Sequence, residues 1–174
     1  RGGRGVGTDA TRASNAGWAV VTFYRVDDWR IVAADERRPE PLHHGIDAAV
    51  LDRVGRGEAP PTLRFWRRGE RAVLLGRFQS YADEVATDYV EEADVTVVRR
   101  ITGGGAVYVQ PEGVITYSVC APREALPDDV AESFAVCNEW VAAALRDLGV
   151  EVAHDPLNDI AHPDGKVAGG AQIR

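Results

Sequence analysis

The spacing of apolar and polar positions predicts three helices in the middle and C-terminal parts of this chain. Apolar side chains recur every three or four residues in these segments, which is the period of one face of a helix. The segments are residues 45–54, 83–92 and 128–148. In the longest one, Asp128 or Asp129 can cap the first turn and Gly149 can close the last.

Strands are predicted where β-branched, aromatic and other apolar residues alternate or run between turn-forming residues. The segments are residues 62–67, 72–75, 95–99, 106–109, 114–120, 150–153, 159–161 and 166–173. Arg68-Gly69-Glu70 is typical of a hairpin turn between the first two, and segment 106–109 is expected to pair with 114–120. Hairpins mixed with isolated helices favour an α+β domain, a mixed β-sheet with flanking helices, over a doubly wound α/β one.

Three consecutive glycines, Gly103, Gly104 and Gly105, follow the arginine pair Arg99-Arg100. Glycine loses more backbone entropy on folding than any other residue, so this run is costly unless the backbone approaches a ligand closely. Amide N–H groups of such a loop can bind an anion, and arginines can bind a carboxylate or phosphate through two hydrogen bonds. The segment matches neither a Walker loop nor a dinucleotide fingerprint. A flexible turn with solvated arginines is the alternative interpretation.

Composition and charge exclude some classes of protein. The 174 residues suit one domain with a full apolar core, and no apolar run approaches the roughly 18 residues that span a bilayer. A net charge of −7 argues against nucleic-acid binding, because a phosphate backbone is bound by a basic surface. Two cysteines, Cys120 and Cys137, are too few for a disulfide framework. We therefore expect a cytoplasmic protein with neither nucleic-acid nor membrane partners.

Both ends of the chain are expected to differ from the ends of the folded domain. Residues 1–20 are rich in glycine and arginine without any periodicity. They are interpreted as a disordered tail, or as leader sequence upstream of a start near Val21. Residues 21–174 are interpreted as one domain. Because the final residues lie within a predicted strand, we expect this domain to be incomplete at its C-terminal end.

Lys166 is the only lysine among the 20 basic residues, all the others being arginine. This bias suggests that arginine readily replaces lysine at solvated positions. The one lysine that remains lies in a Gly-Lys-Val-Ala-Gly-Gly segment, where a loop precedes it. A surface lysine retained by chance is the alternative, but Lys166 is the leading candidate for a catalytic cation.

Four blocks, in order, resemble the lipoate–protein ligase A family. Residues 99–108 (RRITGGGAVY) are similar to its RRxSGGGAVF signature, and residues 74–79 (LLGRFQ) to its V-I-G-R-x-Q segment. Leu157-Asn158-Asp159 followed by residues 165–172 is similar to its R-N-D … K-[IV]-[SA]-G-[SN]-A block. The segment 45–54 lies where the family has its early helix. Together they imply the biotin/lipoate ligase catalytic-domain fold from about residue 21 onward.

The resemblance implies an ATP-dependent ligase that converts lipoate to lipoyl-AMP and transfers the lipoyl group to an acceptor lysine. The implied acceptors are lipoyl domains of 2-oxoacid dehydrogenase E2 subunits or the glycine-cleavage H protein, and an accessory C-terminal domain or subunit is a further implied partner. Lys166 would contact both the lipoate carboxyl group and the α-phosphate, and Asp159 would hold Mg²⁺. The residues that would bind ATP and the acyl adenylate are Arg100, Gly103, Gly104, Gly105, Ala106, Val107, Tyr108, Asn158, Asp159 and Lys166.

A lysine at this position suits the chemistry of adenylation. A carboxylate attacks the α-phosphorus, so two anions meet while charge builds on the phosphoryl oxygens. A compact ammonium group can bridge them, whereas the wide guanidinium fork of arginine replaces it poorly.

The chain also departs from the family's pattern. Val109-Gln110 stands where His-Asp is usual, and Pro156-Leu157 stands where Gly-Arg precedes Asn-Asp. The first change lies close to the ligand loop, so lipoate, octanoate and another acyl acid all stay open as substrates. The Gly-Arg-Gly-Arg-x-Gly-Arg loop of biotin ligases is absent, which argues against biotin.

Two alternative functions are kept. The related octanoyltransferases use a cysteine thiolate and need no ATP. Their cysteine falls near residues 154–157, where this chain has none, and Cys120 and Cys137 are interpreted as buried structural thiols. An inactive relative that only binds a lipoyl domain is the other alternative.

The remaining candidate residues are assigned structural or solvated roles. The histidines lack metal-ligand spacing and are expected in loops or at sheet edges. Two aromatic residues are expected in the core, and two acidic pairs on solvated helix faces. These residues are His43, His44, His154 and His162; Phe65 and Trp66; and Asp83-Glu84 and Glu91-Glu92.

Overall fold

The computed structural model describes residues 21–26 and 28–174, with side chains from residue 28 onward except residue 35. The expected tail at residues 1–20 lies outside the described residues. The described residues form two compact units. The first comprises the described residues up to Ile101 together with Gly105–Pro122, and the second comprises Thr102–Gly104 and Arg123–Arg174.

The predicted α+β class, with mixed sheets and flanking helices, is confirmed. The first unit contains β1 (Val21–Val26), β2 (Trp29–Arg38), α1 (Glu40–Gly55), β3 (Thr62–Arg68), β4 (Ala72–Leu75), α2 (Tyr81–Glu84), α3 (Thr87–Glu92), β5 (Thr96–Arg99), β6 (Val107–Val109) and β7 (Thr116–Cys120). The second contains a 3₁₀ turn (Arg123–Ala125), α4 (Val130–Asp147), β8 (Ala153–Asp155), β9 (Asp159–His162) and β10 (Gly165–Gly169). In the part of the chain that the structure describes, no helix combines the length and apolar character needed to cross a membrane.

The first sheet has the strand order β1-β2-β3-β7, with β3 parallel to β2 and antiparallel to β7. Alternate side chains of β3 are buried, as in a strand with one covered face. Two of these buried side chains, Arg64 and Arg68, are arginines that pair with carboxylates of α1. Arg64 Nη1 lies 2.7 Å from Asp47 Oδ1, and Arg68 forms an ion pair with Glu40. Charge pairs as well as apolar contacts therefore join α1 to this sheet.

The second sheet of the first unit has the order β5-β4-β6. Apolar side chains of its central strand β4 pack on both faces of the sheet. Ala72 and Leu74 belong to one apolar cluster, and Leu75 belongs to another that includes residues from the α2–α3 region. A continuous apolar run is typical of a strand covered on both faces.

The predicted hairpin between β3 and β4 is wrong, because these strands lie in different sheets. Glu70, which the pattern assigns to the turn, accepts a hydrogen bond from Glu40 N at 2.7 Å and one from Thr96 Oγ1 at 2.8 Å. The first N–H groups of a helix need such partners, and Pro39 at the start of α1 supplies no side-chain cap. The segment between β3 and β4 therefore provides, through Glu70, the cap of a helix that is distant in sequence.

The predicted pairing of segments 106–109 and 114–120 is also wrong. β6 pairs with β4, whereas β7 pairs with β3 in the other sheet. Val109 of β6 is buried against Ala72, Leu74 and Val98, so burial in the second sheet separates β6 from its neighbour along the chain.

The helices predicted in the first unit are present, but their first and last residues differ from the prediction. The predicted helix 45–54 lies within α1, which begins five residues earlier, at Glu40. The predicted helix 83–92 is two short helices, because Val85 adopts an extended backbone (φ −121°) and is buried between them. β1 and β2 precede the first element that the pattern predicts.

The second unit consists of α4 and an antiparallel sheet of order β10-β9-β8. The prediction for α4 is confirmed: Asp129 accepts a hydrogen bond from Glu132 N at 2.9 Å, and Gly149 follows the helix with φ +86°. Ala142, Val152 and Ile160 form the buried core between helix and sheet. The strand predictions agree in number, but β8 begins three residues later than expected and β10 ends at Gly169.

The expected surroundings of several side chains are partly confirmed. Trp66 is 3% exposed as expected, whereas Phe65 is 36% exposed and the core assignment is wrong for it. His43 is fully buried in α1, with its ring 5.4 Å from that of Trp66, so its assignment to a loop is wrong, as is that of its neighbour His44. His154 lies on the edge strand β8 as predicted, and the two acidic pairs are exposed as predicted.

Candidate functional site

Lys166 and Asp159 form an ion pair in the second unit. Lys166 Nζ lies 2.8 Å from Asp159 Oδ1, and the two side chains are 59% and 27% exposed. An ion pair this open to solvent contributes at most about 1 kcal/mol to stability. The ammonium group therefore lies beside the carboxylate and stays accessible to a ligand.

The β9–β10 hairpin determines the geometry of this pair. Lys166 lies opposite Ala161, the register then shifts between Lys166 and Ala168, and Gly169 lies opposite Asp159. A Cβ built on Gly169 would lie 2.9 Å from Lys166 Nζ and 3.1 Å from Asp159 Oδ1. A side chain at position 169 would therefore displace the end of the Lys166 side chain from the ion pair.

Asn158, which precedes Asp159, forms two hydrogen bonds with Gly170, which follows Gly169. Its Nδ2 donates to Gly170 O at 2.9 Å, and Gly170 N donates to Asn158 O at 2.7 Å. These two bonds close the base of the hairpin beside the ion pair. One amide N–H of Asn158 is therefore engaged in holding the backbone.

The family resemblance implies that Asp159 holds Mg²⁺, and carboxylate oxygens suit that ion. Its Oδ1 is buried, faces Lys166 Nζ at 2.8 Å and accepts no well-aligned hydrogen bond. Among the described residues, no three or more His, Cys, Asp or Glu side chains gather in a way that could hold a metal ion. A magnesium ion here would take its other ligands from water and from nucleotide phosphates, as is usual at ATP sites.

In the first unit, Arg99 and Arg100 hold loops in place. Arg99 Nη1 donates to Gly76 O at 2.9 Å and to Gln79 O at 2.7 Å. Arg100 donates from Nη1 to Leu74 O at 2.9 Å and from Nη2 to Gly105 O at 2.8 Å. The arginine pair is therefore not merely solvated: it shapes both the Gly-Arg-Phe-Gln turn and the end of the glycine loop.

The glycine loop is followed by two apolar side chains that are exposed to solvent. Gly104 has φ +95°, a conformation that glycine adopts without strain, whereas Gly105 has free space where a Cβ would be. Val107 and Tyr108, just after the loop, are 48% and 50% exposed. Neither crowding by the protein nor a positive φ explains the glycine at position 105.

Neither cysteine has the properties of a nucleophile. Cys120, at the end of β7, is buried as predicted, and burial raises the pKa of its thiol to about 11. Cys137, on α4, is half-buried rather than buried, and burial again raises the pKa of its thiol. The thiolate is the nucleophilic form of cysteine, and these surroundings disfavour it.

The predicted site residues fall into two groups. The second unit contains Asn158, Asp159 and Lys166 together with Gly103 and Gly104; the first unit contains Arg100, Gly105, Ala106, Val107 and Tyr108. Sequence analysis missed Asn138, a residue of α4 that is 2% exposed and contacts Asp159. A polar residue four positions before the buried Ala142, and therefore on the same face of α4, is the signal that identifies it.

Comparison with known proteins gives one family. Residues 42–174 match the model of the lipoyl protein ligase A/B catalytic domain. The octanoyltransferase LipM of Symbiobacterium thermophilum is 36% identical over 171 residues, which cover 84% of this chain and 61% of that protein. Lipoate-protein ligase A subunit 1 of Thermoplasma acidophilum is 38% identical over 106 residues, which cover 61% of this chain and 39% of that protein. The chain thus spans less than two thirds of the length of these relatives.

Solved structures agree with this assignment. The bipartite lipoate protein ligase of Thermoplasma acidophilum, described with its E2 lipoyl domain, superposes with a TM-score of 0.67 at 30% identity, over 82% of this chain and 56% of that one. A lipoate-protein ligase A bound with ATP superposes with a TM-score of 0.63 at 28% identity, over 82% of this chain and 61% of that one.

Proposed function

The chain belongs to the lipoyl protein ligase A/B catalytic-domain family, and from this premise we propose that it activates lipoate or octanoate with ATP and transfers the acyl group to a protein lysine. The observation that carries the proposal is the Lys166–Asp159 ion pair beside Asn158, formed by the only lysine of the chain. The family supports acyl transfer in lipoylation as the general activity. The adenylate route is the finer proposal.

The proposed reaction has two steps. A carboxylate oxygen of the acid attacks the α-phosphorus of ATP, the bond to the β-phosphate oxygen breaks, and pyrophosphate leaves. The acceptor amine then attacks the acyl carbonyl, AMP leaves with the electrons of the broken C–O bond of the mixed anhydride, and the amine gives up a proton. Lys166 bears the positive charge that both the carboxylate and the phosphoryl oxygens require. Mg²⁺ held by Asp159 would neutralise further phosphate charge.

The other predicted residues would bind the nucleotide and the adenylate. Backbone N–H groups of Gly103, Gly104 and Gly105 can donate to phosphate oxygens, as in other glycine-rich loops. Arg100 already holds the carbonyl of Gly105, so it would present the loop in a fixed form. The exposed segment Ala106, Val107 and Tyr108 offers apolar surface to the acyl chain or the adenine ring.

A second candidate is octanoyl transfer through a cysteine thioester without ATP. The names of the relatives favour it, since the Symbiobacterium protein and others of similar identity are octanoyltransferases. The two cysteines of this chain speak against it, because burial raises the pKa of both thiols. We therefore rank the adenylate route first.

The proposed acceptors are lipoyl domains of E2 subunits or the glycine-cleavage H protein, with the cytoplasm as the expected compartment. The Thermoplasma ligase, which is described with an E2 lipoyl domain, supports the first of these. That ligase is also bipartite, which supports an accessory domain or subunit for this protein.

Pyrophosphate release separates the candidates. The protein is incubated with ATP and either lipoate or octanoate, and then with octanoyl-acyl carrier protein and a lipoyl domain. Acid-dependent pyrophosphate that disappears in Lys166→Ala and persists in Cys120→Ala/Cys137→Ala supports the ligase. Transfer from octanoyl-acyl carrier protein that requires a cysteine supports the second candidate. Lipoyl-domain binding without either reaction indicates an inactive relative.

A further inference from the structure

Asn138 is a buried polar residue to which the proposed reaction gives no role. It lies on α4 and is 2% exposed, surrounded by apolar positions of the same helix. A buried amide is tolerated only where its hydrogen bonds are made, so its partners indicate what it holds in place.

The contacts of Asn138 determine the orientation of its amide. Nδ2 lies 3.1 Å from Asp159 O, and a carbonyl oxygen only accepts hydrogen bonds, so the amide nitrogen has to face it. Nδ2 also lies 3.0 Å from His154 Nδ1. With one amide hydrogen directed to each partner, Nδ1 of His154 is the acceptor.

These two hydrogen bonds connect α4 to β9, which carries Asp159, and to β8, which carries His154. Asp159, whose backbone carbonyl Asn138 holds, extends its carboxylate to Lys166 on β10. At the other end of β10, a Cβ built on Gly170 would lie 3.5 Å from Asn138 Oδ1, so this residue is also against the amide. His154 is on β8, the neighbour of β9 in the sheet. One side chain thus holds the backbone of Asp159, the acidic partner in the ion pair, and joins it to the neighbouring strand.

We propose that Asn138 is a positioning residue for the acyl-transfer site: it holds the backbone of Asp159 and so places the carboxylate that fixes the Lys166 ammonium. The consequence for catalysis rests on the proposed function. The positioning itself does not, because it is a property of the folded chain.

Amine labelling tests the positioning without any enzyme assay. Lys166 is the only lysine, so its modification by an amine-reactive reagent is measured by peptide mass spectrometry as the loss of a single unmodified peptide. In Asn138→Ala we expect Lys166 to react roughly two- to fivefold faster, the factor that corresponds to losing an exposed ion pair. Asn138→Leu, which keeps about the same volume and loses the donor without burying a charge, serves as a second variant if the first one fails to fold.

Ser133→Ala is the matched control. Ser133 is also buried on α4, and its Oγ donates to Gln172 Oε1 at 2.9 Å, so this variant loses one buried hydrogen bond of the same unit. It should unfold more easily without changing Lys166 reactivity. His154→Ala removes only the histidine contact and should behave like this control, because the contact to Asp159 persists.

Kinetics give the second readout. If the acid and ATP give pyrophosphate, Asn138→Ala should lower kcat at least tenfold with little change in KM, since misplacing a catalytic group by 1 Å costs on the order of 100-fold. The proposal would be overturned if Asn138→Ala had the same Lys166 labelling rate and the same kcat as the Ser133→Ala control. Faster labelling in a chain that makes no pyrophosphate would uphold the positioning and refute the ligase function instead.

Discussion

Gly169 and Lys166 share a space that admits either an ammonium group or a methyl group, but not both. A Cβ on Gly169 would lie 2.9 Å from Lys166 Nζ and 3.0 Å from Cε, distances that side-chain carbons do not tolerate. The end of a lysine side chain is flexible, so it would move away and leave Asp159. The absence of a side chain at position 169 is therefore part of the site.

Gly169→Ala should lower the rate of pyrophosphate release by about ten- to 100-fold, because the ammonium is displaced by about 1 Å. Stability should change by less than about 1 kcal/mol, since only an exposed ion pair is lost. Gly45→Ala is the control: position 45 is inside α1 with open space for a Cβ. It should stabilise the protein by about 0.5–1 kcal/mol and leave the rate unchanged. Equal rates in both variants would show that the close approach has no catalytic consequence.

The thiol of Cys120 should react very slowly with a disulfide reagent at neutral pH. Burial raises its pKa to about 11, so the thiolate, which is the reacting form, is scarce until the solution is strongly alkaline. The rate should rise about tenfold per pH unit between pH 7 and 9, measured in Cys137→Ala so that only one thiol is present. Rapid labelling with a plateau near neutral pH would contradict this and would favour the thioester candidate.

Glu40→Gln should destabilise the first unit by about 3–5 kcal/mol, because it leaves the buried Arg68 guanidinium without its countercharge. The double variant Glu40→Leu/Arg68→Met should recover most of this loss, since apolar residues of similar volume often replace a buried pair at little cost. Urea unfolding followed by fluorescence measures both. Asp52→Asn, in the exposed pair with Arg56, is the control and should cost less than about 1 kcal/mol. Equal losses in Glu40→Gln and Asp52→Asn would contradict the importance of burial.

Stability should fall as the pH drops below about 6.5 because of His43. Burial, with the Arg64 guanidinium as the next cause, lowers the pKa of His43 from 6.5 to about 4. Between these values the unfolded chain binds a proton at this residue and the native chain does not, so acid favours unfolding. The loss from His43 should approach about 3 kcal/mol near pH 4 and then level off. Unfolding free energies of the native chain and of His43→Gln, measured from pH 7.5 to 4.5, isolate this contribution. Parallel curves would contradict it.

Local sequence patterns predicted an element correctly where the residues that start and end it are close to it in the sequence. Asp129 caps α4 through Glu132 three residues on, and Gly149 ends it, so both limits of this helix follow from neighbouring residues. The ordered motifs likewise identified the family, because the residues that carry it are contiguous in each block. The lone lysine could be singled out by composition alone.

Only the tertiary structure decided which strands pair and which residues support Lys166. β3 and β4 enter different sheets because Arg64 and Arg68 are buried against α1 and because Glu70 caps that helix 30 residues earlier in the chain. No short-range pattern encodes contacts over such separations, since each depends on burial that many residues create together. For the same reason the sequence does not distinguish Asn138 from other polar residues. Its hydrogen bond to Asp159 O, 21 residues away, is visible only in the structure and shows which residue it supports.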